Sequence, residues 1–266
     1  MPSKKIQLII RDAGLGSRRA ADEMIRGGRV TLNGRIVDDP AATADPEKDH
    51  IKVDGKLLRP SHAPKQYYLF HKPRNVVSTL SDPQGRVCVG DLIKSLRKGL
   101  FTVGRLDFDA EGLMILTNDG TLAERLTHPS HAVPRTYNVK VQGHPSPKAL
   151  ARIKPGMSIG EGDRLGNVEF RVTERLKGST WIRIVLYEGK KNEIKRIFTM
   201  IRHPVRRIRR IGFGPLSLGR LAVGQWRRLT RDELDRLRAT VTSKAPRKPS
   251  TGEKKHRLPV RPSKKS

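Results

Sequence analysis

A single cysteine, Cys88, serves all 266 residues, which excludes an internal disulfide framework and any metal site built on cysteine. No apolar run is long enough to span a bilayer, and the N-terminus lacks the basic-then-apolar order of a secretory leader, so the expected location is the cytoplasm. Aromatic residues are scarce at 5%, although 35% hydrophobic content still allows a packed core. Acid is in short supply as well. Only 26 Asp and Glu face 55 Lys and Arg, a formal charge of +29. An imbalance of that size concerns partners rather than fold, and the default partner is a polyanion.

The charge is unevenly spread. Residues 1–60 hold 12 Lys and Arg against 9 Asp and Glu, and residues 241–266 hold 9 against 1. Taking that +3 and +8 from +29 leaves +18 for residues 61–240, so most of the attraction for a polyanion belongs to the middle of the chain. Nine cations fall within residues 190–210 beside one glutamate, and they read as a face that holds a nucleic-acid backbone without reading its sequence.

The first sixty residues read as an independent unit. In "IQLIIRDAGLGSRRAADEMIRGG" apolar residues recur at helical spacing, broken at Gly14-Leu15-Gly16; Ser17 stands as the N-cap of a second helix that Gly27-Gly28 closes. "RVTLNGRIV" and "IKVDGKLL" carry Asn33-Gly34 and Asp54-Gly55, the pairs that favour tight hairpins. Two helices followed by short hairpins, over residues 4–60, resemble the S4 RNA-binding module. The resemblance implies that Ser17, Arg18, Arg19 and Arg29 lie on or near an RNA face. Residues 61–66 read as a polar, proline-bearing linker. Beyond it, strands ("YYLFHK", "TYNVKVQG", "STWIRIVLYEG", "GQWRRLT") alternate with helical stretches ("TLAERLTH", "SPKALARIKPG", "NEIKRIFTMIRH") without a regular strand-helix-strand rhythm, so the expected class is α+β over residues 67–240. A last helix is expected in "TRDELDRLRATV". Residues 241–266 have almost nothing to bury and are expected to form a disordered basic tail.

"VGRLDFDAEGLMILTNDG", residues 103–120, concentrates Asp107, Asp109, Glu111 and Asp119 in a basic chain. It has neither the glycines and lysine of a phosphate loop nor the spacing of a calcium loop. His128 and His131 are three apart, but Pro129 between them argues against a shared helical face, and no metal is expected. Carboxylates acting at an anomeric carbon are the remaining chemical option. Asp109, Glu111 and Asp119 read as solvated turn residues around a buried "LMILT" strand. Asp107, directly after Arg105-Leu106 and before the buried segment, stands apart.

That run, with "FHKPRNVVST" before it and "RLTHPSHAVPRTYNVKVQG" and "LYEGKKNEIKRIFTMIRHPVRRIRRIGFGPLSLGRLAVGQWRRLT" after it, resembles the pseudouridine synthases, in the branch that acts on bacterial ribosomal RNA and carries an S4 module. The nearest subgroup is the pseudouridine synthase B type directed at large-subunit RNA, and enzymes directed at small-subunit RNA share most of the pattern. The resemblance implies a mixed, largely antiparallel central sheet with flanking helices. It implies isomerisation of a uridine by N1–C1′ cleavage and reattachment through C5, with no cofactor. Asp107 is expected to attack or stabilise the sugar, and Arg105 to fill the gap left by the flipped base. Tyr137 is expected to stack on the base and help remove the C5 proton. Lys195 is expected to keep Asp107 ionised, and Ile194 to pack on the base. Lys72, Lys190 and Arg196 are expected on the substrate-binding side. The implied partner is ribosomal RNA, either 23S RNA or an assembling 50S particle, and the enzyme is expected to act as a monomer.

The sequence departs from the family at Ala110, where a threonine is usual, at Glu111, and at His71-Lys72-Pro73-Arg74-Asn75 in the opening motif. Three alternatives stay open: a 16S-directed synthase, an S4-type ribosome-assembly protein whose chemistry has lapsed, and a glycoside hydrolase. The last fits the charge badly, since neutral sugars do not call for +18.

Overall fold

The computed structural model describes residues 3–16, 18–58, 64–96 and 99–242. The expected cap Ser17, the linker positions 61–63 and the tail from residue 243 onward lie outside the described residues.

In the N-terminal unit, helix Ile6–Asp12 turns Ile6, Ile9 and Ile10 inward, and helix Arg18–Arg26 meets them with Ala21 and Ile25. Strands Val30–Leu32 and Ile51–Val53 pair antiparallel and close the core with Val30, Ile51 and Val53. Both hairpins turn as their sequences demand. Asn33 and Gly34 have φ of 51° and 85°, and Asp54 and Gly55 have 48° and 74°, the doubly left-handed geometry of a type I′ turn.

The larger unit is built on a nine-stranded sheet. Its main path runs Val168–Leu176, Ser179–Leu186, Arg135–Gln142, Val205–Phe213, Glu111–Thr117, Tyr67–Lys72 and Trp226–Arg228. Every pairing is antiparallel except that between Val205–Phe213 and Glu111–Thr117, so the sheet is mixed. Helix Glu193–Met200 packs Ile197 and Phe198 on one face. Helices Gly120–Thr127 and Arg231–Thr242 cover the other with Leu122, Leu126, Leu237 and Val241. Strands Tyr67–Lys72 and Glu111–Thr117 are buried throughout, which explains the continuous apolar stretches "YYLF" and "LMIL".

Several strands were not foreseen, two of them long. Val168–Leu176 alternates on a half-open face, and Val205–Phe213 lies within the run expected to face a phosphate backbone. In the latter, Ile208 and Arg210 point into the molecule while Arg207 and Arg209 point out, the two-residue period of a strand. The expected helix in "SPKALARIKPG" is confined to Pro147–Leu150, with Pro155 five residues beyond. The last helix runs through Thr242, and Val241 is only 6% exposed, so packed structure extends two residues into the expected tail. Among the described residues no helix is long and apolar enough to cross a membrane.

Candidate active site

Asp107 stands in the loop between strands Phe101–Val103 and Glu111–Thr117, where the Ala110 N–H donates to the Asp107 carbonyl at 3.1 Å. The opening motif holds this loop from below. Lys72 ends its strand with no exposed surface. Its Nζ donates to the carbonyls of Pro73 and Ala110, both at 2.9 Å, and lies 3.3 Å and 3.5 Å from those of Asp107 and Phe108. Ser78 Oγ donates to the Leu106 carbonyl at 2.6 Å and accepts from its N–H at 3.0 Å. Asn75 N–H reaches the Phe108 carbonyl at 2.7 Å, and Arg74 Nε the Asp109 carbonyl at 3.1 Å. "HKPRNVVST" is thus a cradle for the Asp107 loop. Burial pushes the Lys72 ammonium down to about 8, against the opposing pull of Asp107 and Asp109. Lys72 was expected on the substrate-binding side; the structure buries it against the carbonyls beneath the loop.

A pocket of about 350 Å³ opens over the loop. Arg105 and Asp107 form one side, Tyr137 comes from the central strand Arg135–Gln142, Ile194 from the start of helix Glu193–Met200, and Lys190 from the segment before it. Tyr137 faces inward because it alternates in register with Val139 and Val141. Leu186, Ile208 and Phe213 add an apolar patch to a lining that is otherwise rich in charged and polar side chains. An apolar patch among converging polar groups suits a planar base carrying polar edges. Of the four carboxylates in residues 103–120, only Asp107 lines this pocket.

Lys195 is not among the lining residues. Its ammonium pairs with Asp109 at 2.7 Å rather than with Asp107, between side chains 35% and 47% exposed. One residue along a helix is a 100° rotation, so with Ile194 turned to the pocket Lys195 points off that side. Arg196 is spent inside the protein: it donates to the Ile159 carbonyl and Asp163, both at 2.8 Å, and to the Gly160 carbonyl, stapling the 158–164 hairpin to the helix. Lys190 pairs with Glu188 at 2.7 Å and donates to the Arg164 carbonyl. Arg18 and Arg19 are exposed in the N-terminal unit, away from the pocket lining, and Arg18 donates to Gln7. Arg29 is paired with Asp54 at 2.6 Å.

Two carboxylates read as solvated are not. Glu111 is 3% exposed on the outer side of the sheet, where Arg207 donates at 3.0 Å and 3.1 Å and Arg209 joins it. Burial pushes its carboxyl up, but hydrogen bonds from Arg207 and Arg209 outweigh that and hold it below the usual value. Asp119 caps helix Gly120–Thr127, accepting from the Leu122 N–H at 3.1 Å and the Tyr67 hydroxyl at 2.7 Å. His128 and His131 flank a single 3-10 turn begun by Pro129, and their rings meet edge to face.

Further polar groups reach the pocket that composition did not single out, three of them buried or half-buried. Arg135 precedes Tyr137 by two residues, and burial, with Arg210 nearby, holds its guanidinium below the ordinary value. Glu193 is 5% exposed, and burial raises its carboxyl. Arg210 is 1% exposed. The signal for Arg210 was available: two-residue spacing from Ile208 puts it on the apolar face, but the density of arginines around it masked the alternation.

Comparison with known proteins identifies the two units. Residues 66–199 match the RNA pseudouridylate synthase family, and residues 4–49 match the S4 domain. The chain is 38% identical over 250 residues to an uncharacterized RNA pseudouridine synthase of Aquifex aeolicus (strain VF5), covering 93% of this chain and 99% of that one. It is 34% identical over 237 residues to ribosomal large subunit pseudouridine synthase B of Bacillus subtilis (strain 168), covering 89% and 96%. A crystal structure of a pseudouridylate synthase superposes with a TM-score of 0.61 at 25% identity, covering 87% of this chain and 98% of that one.

Proposed function

The chain belongs to the RNA pseudouridylate synthase family, and on that premise we propose that it isomerises one uridine of 23S ribosomal RNA, with Asp107 acting on the sugar. The activity follows from the family; the choice of RNA and the residue roles are our reading. The observation that carries it is the isolation of Asp107, the one carboxylate of its run to line a pocket shared with Tyr137.

A base in folded RNA must leave its stack to reach that pocket. Arg105, exposed at the rim, stands where it can occupy the vacated place and touch phosphate. Asp107 attacks or stabilises C1′ as N1–C1′ breaks, the base turns, and C5 takes the place of N1. Tyr137 and Ile194 hold the ring between them, and the Tyr137 hydroxyl assists removal of the C5 proton. Lys195 acts on this site through Asp109. Nothing is consumed, because substrate and product are isomers. The N-terminal unit, over residues 4–60, presents Arg18, Arg19 and Arg29 to RNA outside the pocket, and the catalytic unit begins at residue 67. Action on ribosomal RNA places the enzyme in the cytoplasm.

The 23S assignment is supported by relatives named for the large ribosomal subunit. A lapsed assembly factor is disfavoured by the intact convergence of Asp107 and Tyr137. Asp107→Asn is expected to abolish tritium release from C5-labelled RNA while filter-binding affinity stays within a few-fold, since a nucleophile adds nothing to ground-state affinity for a polyanion. Turnover near wild type would remove Asp107 from this role. Pseudouridine mapping in a strain lacking the protein should lose one position in 23S RNA; a loss confined to 16S RNA assigns the small ribosomal subunit instead.

A further inference from the structure

Arg210 is a buried cation that nothing in the protein uses up. It is 1% exposed, its Nε donates to the Leu113 carbonyl at 2.7 Å, and one of its terminal nitrogens is buried with no hydrogen-bond partner. Among the described residues no carboxylate lies within ion-pairing distance of it, Asp107 included, nor of Arg135. Arg210 pairs directly across the strands with Tyr137, so the two side chains stand together on the face that lines the pocket. Arg135 joins them. Its guanidinium and that of Arg210 each lie 5.4 Å from the centre of the Phe213 ring. The position is built, not incidental: strand Glu111–Thr117 approaches Arg210 so closely that a Cβ on Gly112 would stand 2.2 Å from its carbonyl oxygen.

An interior guanidinium without a counter-charge is costly, and a fold keeps one where a ligand supplies the missing charge. Phosphate is a poor fit, because the backbone passes outside while Arg210 sits at the pocket wall, only 1% exposed. The part of a nucleotide that enters is the base. When N1–C1′ breaks, its electron pair stays on N1, so the free uracil is an anion spread over N1, O2 and O4. Later C5 bonds to C1′, the C5 proton leaves and N1 takes one up, and no co-reactant is needed.

We propose that Arg210, with Arg135 beside it, receives the negative charge of the detached uracil and so lowers the barrier to glycosidic cleavage. A pre-oriented donor aimed at charge that appears only during reaction is worth more to turnover than to binding. This rests on the pocket being the base site, as proposed above.

The test uses full-length Arg210→Gln and Arg210→Lys with transcribed 23S RNA containing either uridine or 5-fluorouridine, under single turnover, read as loss of the starting nucleoside. Fluorine makes the ring anion intrinsically more stable, so that substrate leans less on the cation. With uridine, Arg210→Gln should slow conversion by about 100- to 1000-fold with RNA affinity within a few-fold, and Arg210→Lys should recover part of it. With 5-fluorouridine the deficit should shrink by roughly tenfold or more. Equal deficits on the two RNAs overturn the proposal and leave Arg210 a packing residue. Equal deficits with a displaced acidic limb in the pH profile also overturn it, assigning Arg210 to Asp107. If Arg210→Gln fails to fold, half-buried Arg135→Gln carries the same comparison, and equal deficits there overturn the proposal as well. Wild-type turnover of Asp107→Asn would instead overturn the reading of the pocket itself.

Discussion

Replacing Lys72 with methionine separates the cradle beneath Asp107 from overall stability. The substitution keeps the length of the side chain and removes every donor. Two carbonyls at 2.9 Å, those of Pro73 and Ala110, lose a full hydrogen bond, and those of Asp107 and Phe108 lose a weaker one. An unsatisfied buried acceptor costs about 1–3 kcal/mol, so the two strong bonds represent roughly 2–6 kcal/mol. Against that stands the burial of the ammonium, which brings its pKa from 10.5 to about 8. At about 1.4 kcal/mol per unit, relief of that burial returns roughly 3 kcal/mol. The terms are of similar size, so the expected change at pH 7 by urea unfolding lies between a gain of about 1 kcal/mol and a loss of about 3 kcal/mol. Activity has no such compensation. A catalytic group displaced by about 1 Å loses on the order of 100-fold, so kcat for tritium release should fall at least that far while RNA affinity holds.

The pH dependence supplies an internal control. Below pH 8 both folded and unfolded Lys72 carry the proton, and the cost of the buried charge is present in full. Between about 8 and 10.5 the unfolded chain binds a proton that the folded one does not, so wild-type stability should rise with pH relative to Lys72→Met. A variant with kcat within a few-fold of wild type would refute the cradle. A stability difference flat from pH 7 to 10 would refute the account of the buried charge.

Glu111→Gln removes the anion that two outward arginines share; because these are 40% and 38% exposed and can rehydrate, the loss at neutral pH should be about 1–3 kcal/mol. As the folded carboxyl titrates below its unfolded value of 4.5, the difference should be full above that pH and vanish as pH falls through the folded value, visible as converging acid-unfolding curves. Deleting residues 243–266 removes +8 without touching Val241, so thermal unfolding should be unchanged while the slope of log affinity against log salt becomes shallower by about 0.7–0.9 for each phosphate no longer neutralised. A changed modification site after that deletion would contradict its reading as a non-specific attractor.

Much of this organisation could be read in the chain. Asn33-Gly34 and Asp54-Gly55 admit few backbone solutions, and "TRDELDRLRATV" carries its own cap in Thr230, so local chemistry was enough there, whereas Asp119, the cap of the helix in "TLAERLTH", read as a turn residue. Asp107, Tyr137 and Ile194 were legible through resemblance, and the fold brings them to one pocket. The partners of charged residues were not legible, because a partner is a matter of tertiary approach. Lys195 meets Asp109 across 86 residues, and Arg207 meets Glu111 across 96. Arg196 resembled its basic neighbours in sequence yet turned to the 158–164 hairpin.

The same partnerships explain why a chain of +29 gathers four carboxylates in residues 103–120. Asp119 holds a helix N-terminus, Glu111 binds two arginines to the outer face, and Asp109 engages Lys195. Each of these anions is committed to a donor before any substrate arrives. Asp107 makes no ion pair among the described residues, and Arg210 makes none either, although both line the same pocket. Their separation matters. Were they in contact they would neutralise each other, and neither would be available to a nucleotide. Holding them apart requires anchors on both sides: Lys72 and Ser78 fix the backbone under Asp107, and the Leu113 carbonyl fixes Arg210 through Nε. A uridine whose glycosidic bond is breaking presents an electron-poor C1′ and an electron-rich ring, and the pocket carries Asp107 for the one and Arg210 with Arg135 for the other. The acidic run thus supplies the bracing that leaves a single carboxylate unspent.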